Sequence, residues 1–205
     1  MAEGLATAAA AMSPWEAVAV VLAIGYLLLA IRQNIQCWVA AAASAAIYIV
    51  LLYQAELYME SALQGFYIGM AVYGWLSWRH GSDRAGELHV TDWPLGFHCL
   101  PLCLIGLFTV SSGAILDTWT DAAFPYADSF TTWAAIVATW MVARKVIQNW
   151  HYWFVIDALS VYLFAARGLL LTAGLFLIYL VLIVVGLTTW RKSLVRDYER
   201  ISGST

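Results

Sequence analysis

Long apolar runs separated by short polar breaks set the pattern of this chain. A helix that crosses a membrane needs about 20 mostly apolar residues, with a range of roughly 17–25. Seven segments fit: Pro14–Ile31, Gln36–Gln54, 60–78, 93–110, 129–147, 150–166 and 168–190. The sixth is the least apolar, because it contains Asp157. Most connections are tight, but two polar stretches flank the fourth segment. Residues 80–92 hold Gly81, Asp83, Arg84, Gly86 and Glu87, and residues 111–128 hold Gly113, Asp117, Asp121 and Pro125. The pattern therefore predicts a front block of three helices (14–79), a linker helix (93–110), a back block of three (129–192) and a solvated tail (193–205).

Composition places these helices in lipid. Of 205 residues, 63% are hydrophobic and 11% charged, whereas a soluble domain is about half apolar and about a quarter charged. A small domain leaves much of its surface outside, so this apolar excess has to face a bilayer. The expected class is an all-α integral membrane protein. A net charge of −3 and the lack of a basic tail point away from nucleic acid. Cys37, Cys99 and Cys103 lie in or beside apolar runs and read as small buried apolar side chains. No histidine or cysteine set completes a metal site around them, and no cofactor is expected. The Ala-rich start, residues 1–12, has no Lys or Arg. A secretory signal needs a positive n-region, so the first apolar run is expected to stay in the mature protein.

Cytoplasmic loops collect Lys and Arg. With seven spans, Arg32, Arg79, Arg84, Arg144, Lys145, Arg191, Lys192, Arg196 and Arg200 fall on one side and only Arg167 on the other. That split predicts an outside N-terminus, a cytoplasmic C-terminus, and outer loops carrying Glu56, Asp117, Asp121 and Asp128. Trp15, Trp78, Trp93 and Trp190 lie near predicted helix ends, as an interfacial aromatic belt would.

The two blocks share a pattern. Asn34 and Trp38 form Asn-x3-Trp, and Trp75 follows 37 residues after Trp38; Asn149 and Trp153 repeat the motif, and Trp190 follows 37 residues after Trp153. All three pairs are offset by 115 residues, with cationic residues before each Asn and after each distal Trp. Three helices reverse the chain and the fourth restores its direction. The repeats would therefore be parallel, an arrangement in which transporters bind substrate between the halves near the midplane.

The densest polar and aromatic cluster runs from Gln148 to Trp153 and on to Asp157. Helical spacing puts Trp150, Trp153, Asp157, Ser160 and Phe164 on one stripe. Charge at bilayer depth faces a protein interior or water, so the stripe should look into the bundle. Two indole faces beside an acid suit a flat cationic ring, at roughly 0.5–2 kcal/mol per contact, and Asn149 could read an amide or hydroxyl. Two other readings stand beside this one. Asp157 bonds Ser160 or nearby backbone while the tryptophans pack, or Asp157 carries protons. In the front block Asn34, Gln36 and Trp38 mirror the cluster, while Gln64 and Tyr67 share a face of the third helix as substrate contacts or as interhelical glue. Asp128, with Thr131 and Thr132, opens the fifth helix as a cap or as a polar site.

These residues carry a family likeness. The segment from Ala143 to Lys192, with Asn-Trp-x-x-Trp as Asn149, Trp150 and Trp153, resembles the C-terminal block of the PnuC-type vitamin transporters. The front block and the run Asp128–Trp133 resemble that family too, so the likeness extends from about Trp15 to Lys192. It implies facilitated diffusion of an unphosphorylated vitamin, above all nicotinamide riboside, across the bacterial inner membrane, with trapping by a cytoplasmic kinase. It also implies a SWEET-like fold of three, one and three helices, a homotrimer, and nicotinamide binding by Trp150 and Trp153. Relatives carry thiamine, another flat cation, or neutral riboflavin. Val39 and an Ala run follow Trp38, where the family resemblance leads one to expect larger residues or Pro, which leaves the pocket shape open. A SWEET-like sugar carrier and a membrane-anchor or structural subunit are the competing readings. No His-Glu-x-x-His, no Gly-x-Ser-x-Gly with an in-membrane histidine and no P-loop supports an enzyme or an ATP-driven pump.

Overall fold

The computed structural model describes residues 14–54, 58–81, 88–120, 123–166 and 170–202. Met1–Met12, Glu56, Asp83, Arg84, Gly86, Glu87, Asp121 and Arg167, used above for the N-terminus, loops and orientation, lie outside the described residues. Among those described, seven α-helices form: α1 Pro14–Ile31, α2 Gln36–Gln54, α3 Tyr58–His80, α4 Cys99–Trp119, α5 Pro125–Ala143, α6 Asn149–Ala166 and α7 Leu170–Ser202. A single tight turn, Leu95–His98, leads into α4. Among the described residues, four segments are long and apolar enough to cross a membrane: Pro14–Ile31, Gln36–Gln54, Leu95–Trp119 and Ala173–Glu199. The other three helices mix polar groups into their lengths, Gln64 on α3, Thr131 and Thr139 on α5, and Asn149 and Asp157 on α6.

The chain divides into two compact units between Leu88 and His89. The first contains α1, α2 and α3, with α2 packed on both others. Its core includes Ala19, Ala30, Cys37, Trp38 and Ala71. Ser44 on α2 donates to the Ala19 carbonyl of α1 at 2.9 Å. Ser61 on α3 donates to the Ile49 carbonyl of α2 at 3.0 Å. The second unit contains α4 to α7, each packed on the next. Ile105, Ala134, Ala135, Ala138 and Ile156 form its hydrophobic cluster, with Phe130, Val137, Tyr152 and Trp153 against it.

Several boundaries differ from the sequence pattern. The fourth helix runs on to Trp119 rather than ending at Val110, because Ser111, Ser112 and Thr118 turn their hydroxyls back to the carbonyls of Leu107, Phe108 and Ala114. Bonded this way, a hydroxyl is satisfied inside an otherwise apolar helix at a small cost to the helix itself. Ser112 also accepts from Trp133 Nε1 of α5 at 3.1 Å. The fifth helix starts at Pro125, with Phe124 at its N-cap, so Asp128 is no cap but an acid in the first turn. There it favours the positive end of the helix dipole. The last helix does not stop near Trp190; it continues through the predicted tail to Ser202, 33 residues in all. Cys37 is buried, but Cys99 and Cys103 are exposed. A thiol on a membrane helix can face lipid as readily as a core.

The two units end α1 and α5 in the same way. Gln33 (φ 54°) and Lys145 (φ 50°) occupy the left-handed region, an uncommon setting for residues other than Gly. Asn34 N–H donates to Leu29 O and Gln33 N–H to Ala30 O; Val146 N–H donates to Met141 O and Lys145 N–H to Val142 O. This pair of bonds is the Schellman closure of a helix, and every partner in one unit lies 112 residues from its counterpart in the other.

The same spacing governs the helix contacts. Trp38 packs over Gly74 and Trp150 over Gly186, each so closely that a Cβ on the glycine would overlap the indole. Each indole then meets a second tryptophan edge-on, Trp38 with Trp78 at 5.5 Å and Trp150 with Trp190 at 5.4 Å. Buried positions on α3 (Ser61, Ala71, Gly74, Trp78) match those on α7 (Ala173, Ile183, Gly186, Trp190) one for one. The internal register is thus 112 residues, not the 115 read from Asn34/Asn149, Trp38/Trp153 and Trp75/Trp190. The 115 offset matches residue types; the 112 offset matches the capping bonds, the glycine seats and the burial.

Trp78 and Trp190 also leave the aromatic belt. They are 8% and 0% exposed, because each closes one of these packed joints, while Trp15 is 66% exposed as an interfacial residue should be. Trp93 is half-buried against Trp140 and His98.

Candidate functional site

The eight residues singled out in the sequence fall into two sets, Asn34, Trp38, Gln64 and Tyr67 in the first unit, and Asn149, Trp150, Trp153 and Asp157 in the second. In the first unit, the exposed Asn34 acts on the start of α2, its Oδ1 accepting from Gln36 N–H at 2.9 Å. Trp38 is spent on packing against Gly74, Trp78 and Tyr26. Gln64 and Tyr67 are half-buried on α3, and the Tyr67 ring meets Phe66 edge-on at 5.8 Å.

The second unit assembles a denser arrangement along α6. Gln148 holds the chain just before the helix. Its side-chain oxygen accepts from Trp93 N–H, and its amide nitrogen donates to Trp93 O and to Asp92. Next to it, Thr91 pairs with the turn after α5, donating to Lys145 O and accepting from Ile147 N–H at 2.9 Å each. This strap fixes where α6 begins. Asn149, the first residue of the helix, is fully buried; its Nδ2 donates to Val146 O, and its Oδ1 is buried without a partner among the described residues.

From that start, α6 turns Trp150, Asp157 and Ser160 inward, with Trp153 and Phe164 half-buried between and beyond them. The stripe expected from helical spacing does face the interior. Its members are not alike, however. Trp150 is locked between Gly186 and Trp190, which makes it the counterpart of Trp38 and a packing residue. Trp153 rests on the Ile105–Ala134–Ile156 cluster and keeps part of its surface open. Asp157 is 5% exposed and makes no hydrogen bond among the described residues, Ser160 included, although its oxygens are not among the fully buried atoms left without a partner. Burying a carboxylate without a partner costs several kcal/mol, so a stable chain keeps one where something else meets it.

In the 112-residue register the front-block counterparts of Trp153 and Asp157 are Ala41 and Ala45. The aromatic face and the acid therefore belong to the second unit alone. The joints with Gly74 and Gly186 were missed in the sequence, although a signal was available. Gly-x3-Trp-Arg occurs at Gly74–Arg79 and again at Gly186–Arg191. The His98–Tyr152 contact, 3.1 Å from Nδ1 to the hydroxyl, left no such pattern.

Comparison with known proteins adds a family. The family model described as "Nicotinamide mononucleotide transporter" matches residues 13–192. The nicotinamide riboside transporters PnuC of Escherichia coli (strain K12) and Shigella flexneri are each 28% identical over 169 residues, covering 70% of this chain and 71% of theirs. The riboflavin/roseoflavin transporter RibM of Streptomyces davaonensis is 25% identical over 132 residues, 62% of this chain and 61% of its own. Among solved structures, the crystal structure of the vitamin B3 transporter PnuC matches with a TM-score of 0.68 at 23% identity, over 87% of this chain and 81% of that one.

Proposed function

Because the chain belongs to the nicotinamide mononucleotide transporter family, whose PnuC-type members are membrane-borne vitamin transporters, we propose that it carries an unphosphorylated cationic vitamin, nicotinamide riboside, across the bacterial inner membrane by facilitated diffusion. A cytoplasmic kinase then traps the vitamin by phosphorylation. The observation that carries this reading is Asp157, buried without a hydrogen-bond partner among the described residues, one helical turn from the partly open face of Trp153. An indole face and an uncompensated acid together attract a flat cation. Asn149, with a free buried Oδ1, accepts from the carboxamide or a ribose hydroxyl. Gln64 and Tyr67 remain the candidates on α3. Trp150 contributes by holding α6 against α7, so that Trp153 and Asp157 keep their places.

The same acid argues for the nucleoside over the nucleotide. A phosphate next to a buried carboxylate is repelled, and α6 has no Lys or Arg to offset it. The likeness to RibM supports a second reading, neutral riboflavin as cargo; for that ligand Asp157 would contribute little. The 112-residue register supports a 3+1+3, SWEET-like plan of seven spans with parallel repeats. The distribution of Lys and Arg supports an outside N-terminus and a cytoplasmic C-terminus. A homotrimer comes from the family resemblance.

Uptake of labelled nicotinamide riboside into proteoliposomes without ATP or an ion gradient tests this reading, with thiamine and riboflavin as competitors. Equilibrating uptake that resists both competitors is expected. Absence of uptake by well-folded protein, with uptake of labelled riboflavin in its place, would move the assignment to the second reading.

Two tryptophans separate binding from packing. Trp153→Ala is expected to weaken nicotinamide riboside binding about 3- to 30-fold, the range of one cation–π contact, with a smaller loss of stability than Trp190→Ala, because its ring is only partly buried against the Ile105–Ala134–Ile156 cluster. Trp190→Ala removes a fully buried ring and is expected to cost about 3–5 kcal/mol of stability, with a smaller effect on the affinity of the protein that remains folded. Affinity measured by titration beside melting curves would show the reverse order if the pocket were assigned to the wrong tryptophan.

A further inference from the structure

A cavity of about 450 Å³ lies where the start of α4 meets α5 and α6; Asp157 is not among its walls, which include Trp93, His98, Leu102, Ile105, Phe130 and Tyr152. Its walls are graded. Gln148, His151 and Tyr152 lie in or just before the first turn of α6, and Trp93, Leu95 and His98 just before α4, while Leu102, Ile105 and Val155 lie farther along those helices. The His98 side chain is more than nine-tenths buried, and its Nε2 has no partner among the described residues, although its Nδ1 contacts the Tyr152 hydroxyl at 3.1 Å. In the tautomer in which the Tyr152 O–H donates to Nδ1, Nε2 carries the hydrogen and needs an acceptor. Leaving such a donor dry and unpaired is unfavourable. The rim is formed by side chains that are themselves open to the surroundings, Leu95 at 89%, Leu102 at 54% and Val155 at 52% exposure. On a membrane helix this makes the mouth open to lipid.

We infer that this cavity binds one phospholipid, with an acyl-ester carbonyl accepting from His98 Nε2 and an acyl chain lying along Leu102 and Ile105. The gradient of the walls matches that of the ligand. Trp93 and Gln148 stand at headgroup level, where an indole prefers to sit, His98 at the ester level and the apolar walls below. From Leu95 to Ile105 the helix rises about 15 Å, half of the roughly 30 Å hydrocarbon core, which is the depth one acyl chain occupies. Among the described residues, no acidic side chain lines the cavity to meet a water-soluble cation such as the proposed vitamin.

Native mass spectrometry of the purified, delipidated protein titrated with phosphatidylethanolamine or phosphatidylglycerol tests the inference. One tightly bound lipid per chain is expected. Leu102→Trp, which fills the open mouth without touching the packed core, should abolish that stoichiometric adduct. His98→Leu should weaken it about fivefold, the scale of one net hydrogen bond. Both variants should keep the wild-type melting temperature once lipid is removed. Equal adducts in all three proteins would overturn the inference. So would a change in oligomeric state on Leu102→Trp with lipid binding intact, because the cavity would then be covered by a second copy of the chain.

Discussion

Asp157→Asn is expected to weaken binding of nicotinamide riboside by about 10- to 100-fold, the loss that follows removal of one charged partner from a desolvated contact. The exchange keeps the volume and removes only the charge. Riboflavin, which has no positive charge for the acid to meet, should bind the variant and the parent alike. Stability gives an independent signature. Because Asp157 is 5% exposed and makes no hydrogen bond among the described residues, its carboxylate is a liability to the empty protein. The variant should therefore unfold at the same temperature or a higher one. An acid kept for folding would behave oppositely, with a lower melting temperature and unchanged affinity. Titration of the variant and the parent with both vitamins, beside thermal scans, distinguishes the two cases. Unchanged affinity for the cation would remove Asp157 from the site.

The second large effect concerns folding. Gly186→Val is expected to destabilise the protein by about 1–3 kcal/mol or more, because a branched side chain there has to displace the Trp150 ring. Gly74→Val should do the same through Trp38. Gly174, on the same helix as Gly186, has nothing within 4 Å of where its Cβ would be. Gly174→Ala should therefore be neutral, or stabilising by up to about 1 kcal/mol from reduced backbone freedom. Melting temperatures in one detergent give the ranking. If Gly186→Val and Gly174→Ala behave alike, the close seat of the indole is not what holds α6 to α7.

The helices were legible in the sequence because lipid demands continuous apolar length, and α1 and α2 begin and end where the pattern placed them. Errors came where polar residues satisfy themselves. Ser111, Ser112 and Thr118 look like loop residues, yet they bond back onto their own helix and extend α4. Lys192 to Arg200 look like a tail, yet they continue α7; an amphipathic or charged segment next to a stable helix has no reason to unwind. The inward stripe on α6 was legible for the same reason as the spans, since helical spacing fixes which residues share a face. That Trp150 serves packing and Trp153 keeps an open face was not legible. The difference depends on a glycine 36 residues farther along, Gly186, whose missing side chain makes room for one indole and not the other. Residue type misled the repeat as well. Asn34 and Asn149 look equivalent, but one caps the start of α2 from outside it and the other is the buried first residue of α6.

The paired glycine–tryptophan joints imply a division of labour between two copies of one framework. Each copy keeps the joint, while three and seven residues beyond its tryptophan the first has Ala41 and Ala45 and the second has Trp153 and Asp157. Cargo preference can therefore be rewritten in the second copy without disturbing assembly, and the first offers two alanines as vacant ground for new chemistry. Engineering a transporter for another vitamin would begin at those four positions and leave the joints untouched.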